Sequence, residues 1–177
     1  MRFAALDFET ADYGRDSACA LSIVRVEDDR IQSTWTHLIR PPRSRFQFTY
    51  IHGIGWRHVE FQPTFKDYWP EIRELLQDVN FVAAHNASFD RGVLDACCQQ
   101  AGAEPPRLKY LCTVRVARGV WNLRPATLPD VCRHLQISLE HHDPTSDATA
   151  CARIVLAARQ QGTDYPQLLA RHALRKA

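Results

Sequence analysis

Three short stretches of this 177-residue chain set acids where acids can do chemistry. The first is "LDFET", beginning at Leu6, in which Asp7 and Glu9 flank Phe8. On a strand, a spacing of two puts both carboxylates on one face. Two anions there repel unless a cation holds them or one takes a proton. A solvated strand end is the plainer alternative. The second stretch, "AAHNASFD", runs from Ala83 to Asp90. An apolar run ends in His85-Asn86, Ser88 can cap a helix beginning near Phe89, and Asp90 falls in the first turn, where the helix dipole favours a carboxylate. An ordinary first-turn acid would look the same. The third, "HHDPTSDATACA", begins at His141. Pro144 prevents helix before it, Ser146 is a natural N-cap, and Asp147 opens a helix whose inner face carries Ala148, Cys151 and Val155. Asp143 competes with Asp147 as the functional acid, and spacing does not choose between them. A loop histidine such as His141 or His142 is more often a surface residue than a catalyst.

Taken together, carboxylates near strand ends and helix starts suit hard divalent cations such as Mg²⁺ or Mn²⁺ rather than zinc or copper. Two such ions, about 4 Å apart, clamp a phosphodiester, one activating the attacking water and the other steadying the leaving oxygen. A histidine within reach can take the proton from that water, because its pKa lies near neutrality.

The elements that must position these groups can be read from periodicity and punctuation. Residues 2–8 read as a buried strand and Ala18–Glu27 as a second; Asp28-Asp29 marks a turn before a third at Ile31–Ile39. Such close spacing predicts an antiparallel meander. Residues 43–63 read as irregular, basic and aromatic. Thr64 caps a helix running to about Asp78. Short strands at Phe81–Ala84 and Tyr110–Thr113 alternate with helices at Phe89–Ala101, after Thr113 to about Val120, at Leu128–Leu135 and at Ser146–Gln161, with a tail helix from about Tyr165. Three antiparallel strands followed by alternating helices and strands predict a mixed α/β sheet with helices on both faces.

Bulk properties narrow the class. A chain of this length suits one domain, residues 1–177. Hydrophobic residues make up 45% and charged residues 24%, as in a globular protein, and the formal charge of +2 permits a local basic face. Six cysteines, none in a C-x-x-C pair, read as small buried hydrophobes in a reducing compartment. No apolar run approaches the roughly 18 residues of a membrane helix. A cytoplasmic location and no membrane partner are therefore expected.

On these motifs the sequence resembles the DEDDh exonucleases, the DnaQ-like or proofreading-type 3'–5' exonucleases of the ribonuclease H-like superfamily. Their D-x-E-T motif is matched by Asp7, Glu9 and Thr10. Their H-N-x-x-F-D motif is matched by His85, Asn86, Phe89 and Asp90. Their third motif sets a histidine five residues before an aspartate that opens a helix, which His142 and Asp147 fit, followed by Ala148. The resemblance implies a ribonuclease H-like fold and a metal-dependent 3'–5' exonuclease that releases nucleoside 5'-monophosphates from DNA or RNA. It implies that Asp7 bridges two Mg²⁺ or Mn²⁺ ions, that Glu9 and Asp147 complete the nucleophile-side site, that Asp90 supports the second ion, and that His142 is the general base. It further implies substrate contacts at Phe8, Thr10, His85, Asn86 and Phe89, and at Ile51 and His52 of "IHGI". Two departures stand out: Ala11-Asp12-Tyr13 replaces the Gly-Leu frequent after the first motif, and His141-His142 is doubled.

The segment from Arg40 to Arg57 interleaves Arg40, Arg43, Arg45 and Arg57 with Phe46, Phe48, Tyr50 and Trp56. Such a mixture suits single-stranded nucleic acid, bases stacking while cations hold phosphates; a connector packing its aromatics on the core is the alternative. Arg115, Arg118, Arg124 and Arg133 extend a basic face or lie on solvated helices. The partners expected are nucleic acid with a free 3' end, single-stranded, and a DNA polymerase or repair complex. The competing reading is a non-catalytic nucleic-acid- or polymerase-binding module on the same fold, against which stands the presence of all four acids and the histidine.

Overall fold

A computed structural model describes residues 1–174. Strands β1 (Arg2–Thr10), β2 (Ala18–Glu27), β3 (Arg30–Leu38), β4 (Val82–Ala84) and β5 (Tyr110–Cys112) form one sheet in the order β3-β2-β1-β4-β5. The pairs β1/β2 and β2/β3 are antiparallel, whereas β1/β4 and β4/β5 are parallel. This is the mixed sheet that the sequence predicts. The β2–β3 connection has two residues, Asp28 and Asp29, with φ of 49° and 60°. Left-handed residues at both positions match the right-handed twist of a tight hairpin, and aspartate tolerates that conformation better than most.

The helices are α1 (Thr49–His52), α2 (Trp56–Val59), α3 (Phe65–Gln77), α4 (Ala87–Gln100), α5 (Thr113–Val120), α6 (Leu128–Leu135), α7 (Pro144–Gln160) and α8 (Tyr165–His172). The segment read as irregular thus contains two single-turn helices. Strand alternation sorts the core into two layers. Phe3, Ala5, Val24 and Val26 pack with α5, α6, α7 and α8 on one face. Ala4, Leu6, Phe8, Leu21 and Ile23 pack with α3 and α4 on the other. Small buried residues on α7, among them Ala148, Cys151 and Ala152, let that helix lie close across β1 and β2. All six cysteines are free and buried. Among the described residues, no helix is long and apolar enough to cross a membrane.

β1 runs two residues past its expected end, so Asp7 and Glu9 lie inside the strand rather than at its exit. Strand β1 is also where the pairing switches, antiparallel to β2 on one side and parallel to β4 on the other. Open α/β sheets place ligands beyond the carboxyl ends of their strands at such a switch.

Candidate active site at the carboxyl ends of β1 and β4

Asp7 and Glu9 share the face of β1 that carries Phe3 and Ala5, by the two-residue strand period. Asp90 approaches from α4, where its Oδ1 accepts the Phe8 N–H at 3.3 Å. That helix begins at Ala87, not near Phe89, and its N-cap is Asn86 at φ 69°, not Ser88. The chain turns so sharply out of β4 that a left-handed residue is needed, and asparagine accepts one. Asp147 comes from α7, which begins at Pro144 rather than Ser146. Here the N-cap is Asp143, whose Oδ1 accepts the Ser146 N–H at 2.7 Å, with proline in the first turn. Capping therefore occupies Asp143, and the buried acid is Asp147. A chain of hydroxyls fixes this helix start: Thr145 donates to Thr36 at 2.9 Å, and Thr36 to the fully buried Ser22 at 2.8 Å.

The four acids feel one another. Burial first, then Asp90, Glu9 and Asp147, pushes the Asp7 carboxyl well above the ordinary range. Burial, then Asp147 and Asp90, pushes Glu9 up to about 8. Burial raises Asp90 to about 7, against the pull of the Phe8 N–H. Asp147 is raised by burial and held back by the His142 N–H and by His141. Carboxyls that raise each other this way attract a divalent cation.

The donors fit such an ion. Asp147 Oδ1 is buried with no hydrogen-bond partner, and an unsatisfied buried acceptor costs about 1–3 kcal/mol. Its other oxygen, Oδ2, meets His141 Nδ1 at 3.0 Å and the His142 N–H at 3.2 Å. Among the described residues, the set of three or more side chains whose ligand atoms lie within 4.8 Å of one another is His141, His142 and Asp147. The two imidazoles stack at 3.8 Å, and His142 has a left-handed φ of 70°. Burial, then His141, lowers the His142 pKa, against the pull of Asp147.

Of the residues named for substrate contact, Ile51 and His52 border a cleft of about 510 Å³ that His141 and His142 also line. His52 is itself tied down. The Ile54 N–H donates to its Nδ1 at 3.1 Å, so its Nε2–H must be the donor to the Thr10 carbonyl at 3.1 Å. Phe89 is partly exposed, and Asn86 is exposed. Two of these side chains are held within the fold. The Phe8 ring lies in the α3/α4 layer, because strand alternation turns it away from Asp7 and Glu9; only its N–H serves the site. The His85 ring is spent within the protein, with Nδ1 at 2.8 Å from the Thr113 hydroxyl and Nε2 at 3.1 Å from the Ala126 carbonyl. Burial pushes its pKa down to about 4, so it is a neutral strut between β4 and α5.

In the basic segment, part of the aromatic set follows the core-packing alternative. Phe46 and Trp56 pack on a small core with Ala11, Cys19 and Ile54. Arg43 forks onto Asp12 (3.0 and 3.1 Å) and Asp16 (2.7 and 2.8 Å). Gly14 sits so close that a Cβ there would collide with the guanidinium and both carboxylates. Arg43 holds the Asp12 and Asp16 carboxyls below the ordinary range. A carboxyl with a lowered folded pKa adds stability above its unfolded value of about 4, and that stability fades as pH falls through the folded value. Arg43→Ala is therefore expected to cost about 1–2 kcal/mol at pH 7, a figure discounted for the partly exposed guanidinium. In urea melts the gap from the wild type should narrow at pH 3; an equal gap at both pH values would exclude the ionic origin. Elsewhere, Arg133 pairs with Asp130 at the surface, and Arg115 donates to the Ala173 carbonyl.

Residues 4–155 match the model of an exonuclease family, RNase_T. Over 158 residues the chain is 28% identical to the "DNA polymerase III PolC-type" of Clostridium perfringens, covering 86% of this chain but 11% of that one. It is 33% identical over 102 residues to Exodeoxyribonuclease 10 of Escherichia coli K12, covering 57% of this chain and 40% of that relative. The nuclease domain of 3'hExo, described as a DEDDh family member bound to rAMP, superposes with a TM-score of 0.80 at 15% identity, covering 99% of this chain and 97% of that one. The chain thus spans about a ninth of the length of the PolC-type relative and two fifths of Exodeoxyribonuclease 10.

Proposed function

The chain belongs to this exonuclease family, and from that premise we propose that its 177 residues act as one domain of the DEDDh type that removes nucleotides from the 3' end of a nucleic-acid strand as 5'-monophosphates. The observation that carries the reading is the meeting of Asp7, Glu9, Asp90 and Asp147 at one end of the sheet, where Asp90, Glu9 and Asp147 raise Asp7, and Asp147 and Asp90 raise Glu9. Asp7, Glu9, Asp90 and Asp147 would hold Mg²⁺ or Mn²⁺, which when bound activates water and neutralises charge building on the phosphate. His142 takes the proton from the attacking water, while His141 holds Asp147 from the side. The bond broken is the one between phosphorus and the 3' oxygen of the preceding nucleotide. Ile51, bordering the cleft beside His52, confines the strand end. The PolC-type and exodeoxyribonuclease relatives favour DNA as the substrate, and a polymerase or repair complex as the setting.

The test is digestion of end-labelled single-stranded DNA, duplex DNA and RNA, with Mg²⁺, with Mn²⁺ and with EDTA. Linear single strands should shorten from the 3' end to 5'-monophosphates, and EDTA should stop the reaction until metal is restored. Closed circular single strands should survive. Rapid cutting of the circle would mean an endonuclease, and full activity in EDTA would remove the metal.

A further inference from the structure

A groove of about 1,100 Å³ lies at the end of the sheet opposite the four acids. Strands β1, β4 and β5 run parallel, so their entering ends lie together, and Met1, Asn80 and Lys109, just ahead of them, border the groove. One wall is α4, through Arg91, Asp95 and Gln99, which share a face at helical spacing. The other is α8, through Pro166, Leu169 and Ala170. The sheet edge beside it is already closed. The Leu174 N–H donates to the Tyr110 carbonyl at 2.8 Å, and Ala173 bridges Leu111. An occupant therefore binds through side chains rather than by adding a strand to β5.

Two features of the groove call for a ligand. The first is Tyr110, which lines it at 3% exposure and whose buried hydroxyl has no hydrogen-bond partner. The charges of Arg91 and Asp95 reach that hydroxyl, so it stands on the groove side of the ring. A phenol both donates and accepts, and a buried one left unpaired destabilises the fold until something pairs with it. The second is charge. Arg91, Arg107 and Lys109 line the groove against one acid, Asp95. Asp95 engages Arg91 at 3.7 Å, while Arg107 and Lys109 stand exposed. Between them the surface is apolar, with Pro105, Pro106 and Leu169. We propose that this groove docks an acidic peptide segment of a partner protein. Its carboxylates meet Arg107 and Lys109, an apolar side chain enters between the prolines and Leu169, and an acceptor oxygen takes the Tyr110 hydroxyl. A nucleic-acid strand is the other polyanion that cations attract, but unpaired strands are held by exposed rings on which bases stack, and the ring here is buried. A partner held at this end leaves the acid cleft open at the other. The proposal does not depend on the exonuclease reading.

The experiment is selection of a random phage-displayed peptide library on the immobilised full chain. Synthetic copies of the enriched peptides are then titrated by calorimetry into the wild type, the double variant Arg107→Glu/Lys109→Glu, and Tyr110→Phe. Enriched peptides should carry aspartate or glutamate beside a leucine or an aromatic side chain. Charge reversal should weaken them by about 10-fold or more, since it replaces attraction with repulsion. Tyr110→Phe should weaken them by about 2- to 10-fold, the worth of a hydrogen bond. It should also leave the free protein melting no lower than the wild type, because the hydroxyl has no partner to lose. A lower melting temperature in Tyr110→Phe, no enriched peptide, or peptides indifferent to charge reversal each overturn the proposal. So does displacement of the peptides by a single-stranded oligonucleotide in EDTA, which gives the groove to nucleic acid. A wild-type dimer in sedimentation that the double variant dissolves overturns it too, in favour of a second copy of the chain. Digestion of a linear single strand with Mg²⁺ should run at the same rate in the wild type and the double variant, with or without peptide. Failure of the wild type to digest overturns the exonuclease reading alone, because peptide binding is measured apart from it.

Discussion

Asp7→Asn should abolish strand degradation while leaving the metal-free protein at least as stable as the wild type. Asp7 lies inside β1, partly buried, with Asp90, Glu9 and Asp147 close enough to raise its carboxyl far above the ordinary range. Ionising such a group costs the folded state, so that stability is lost as pH rises above the unfolded value of about 4. Asparagine is nearly isosteric and has no charge to pay for. In EDTA at pH 7, its melting temperature should therefore match or exceed that of the wild type. Metal reverses the comparison. An ion that binds only the folded state stabilises it by RT ln(1 + [L]/Kd), about 2.7 kcal/mol at a hundred times Kd. The wild type should gain melting temperature with Mg²⁺ or Mn²⁺, and Asp7→Asn should gain little. Groups that only orient a metal ligand cost about 10–100-fold when removed, so a ligand itself should cost more than about 100-fold in rate. Calorimetry and a digestion time course check both halves. Wild-type turnover by Asp7→Asn would remove Asp7 from the metal site, and a large melting loss in EDTA would mean the acid holds the fold instead.

Much of this site can be read without coordinates, because short-range physics fixes its parts. A two-residue spacing on a strand puts Asp7 and Glu9 on one face, whatever surrounds them. The helices that carry Asp90 and Asp147 follow from apolar spacing and from the breaks at Gly102 and Pro144. The two helix caps differ from what residue type predicts, for one reason. Ser88 and Ser146 are good caps by type, but tertiary geometry moved each helix start upstream. The tight exit from β4 needs a left-handed residue, which Asn86 supplies, and Pro144 occupies the first turn so well that Asp143 becomes the cap. The second shift matters for chemistry, because it removes Asp143 from the competition with Asp147.

Partners far apart in sequence were not legible. Nothing in "RPPRSR" says that Arg43 will meet Asp12 and Asp16, 31 and 27 residues away. A basic residue among aromatics suggests phosphate by composition, yet two carboxylates within reach outbid it. His85 is similar: a motif histidine looks available until Thr113 and the Ala126 carbonyl take both nitrogens. Phe8, by contrast, was decidable. The alternation that aligns Asp7 with Glu9 must bury the residue between them on the opposite face. The burial of Phe46 beside the exposure of Tyr50 needed the fold, since both occupy one irregular stretch.

The doubled histidine leads to the second large effect. His142→Ala should lower kcat by about 10²–10⁴-fold, the usual loss on removing a general base. Both rings stand at the site, and the contacts divide their roles. His141 Nδ1 meets Asp147 Oδ2 at 3.0 Å, so its imidazole orients the carboxylate proposed to hold the metal. His142 reaches the same oxygen through its backbone N–H at 3.2 Å, which leaves its ring available for the attacking water. Alanine at 142 keeps that backbone donor and removes only the ring. Metal binding should then change little, and melting gains with Mg²⁺ should match those of the wild type. His141→Ala removes the bond to Asp147 and should act chiefly on metal affinity, by about 10–100-fold, as outer partners of a ligand do. Raising the metal concentration should recover most of the His141→Ala rate and none of the His142→Ala rate. Rate measurements across a metal titration separate the two. If added metal rescues His142→Ala while His141→Ala stays slow at saturation, the roles are exchanged, and the ring hydrogen-bonded to Asp147 is the base.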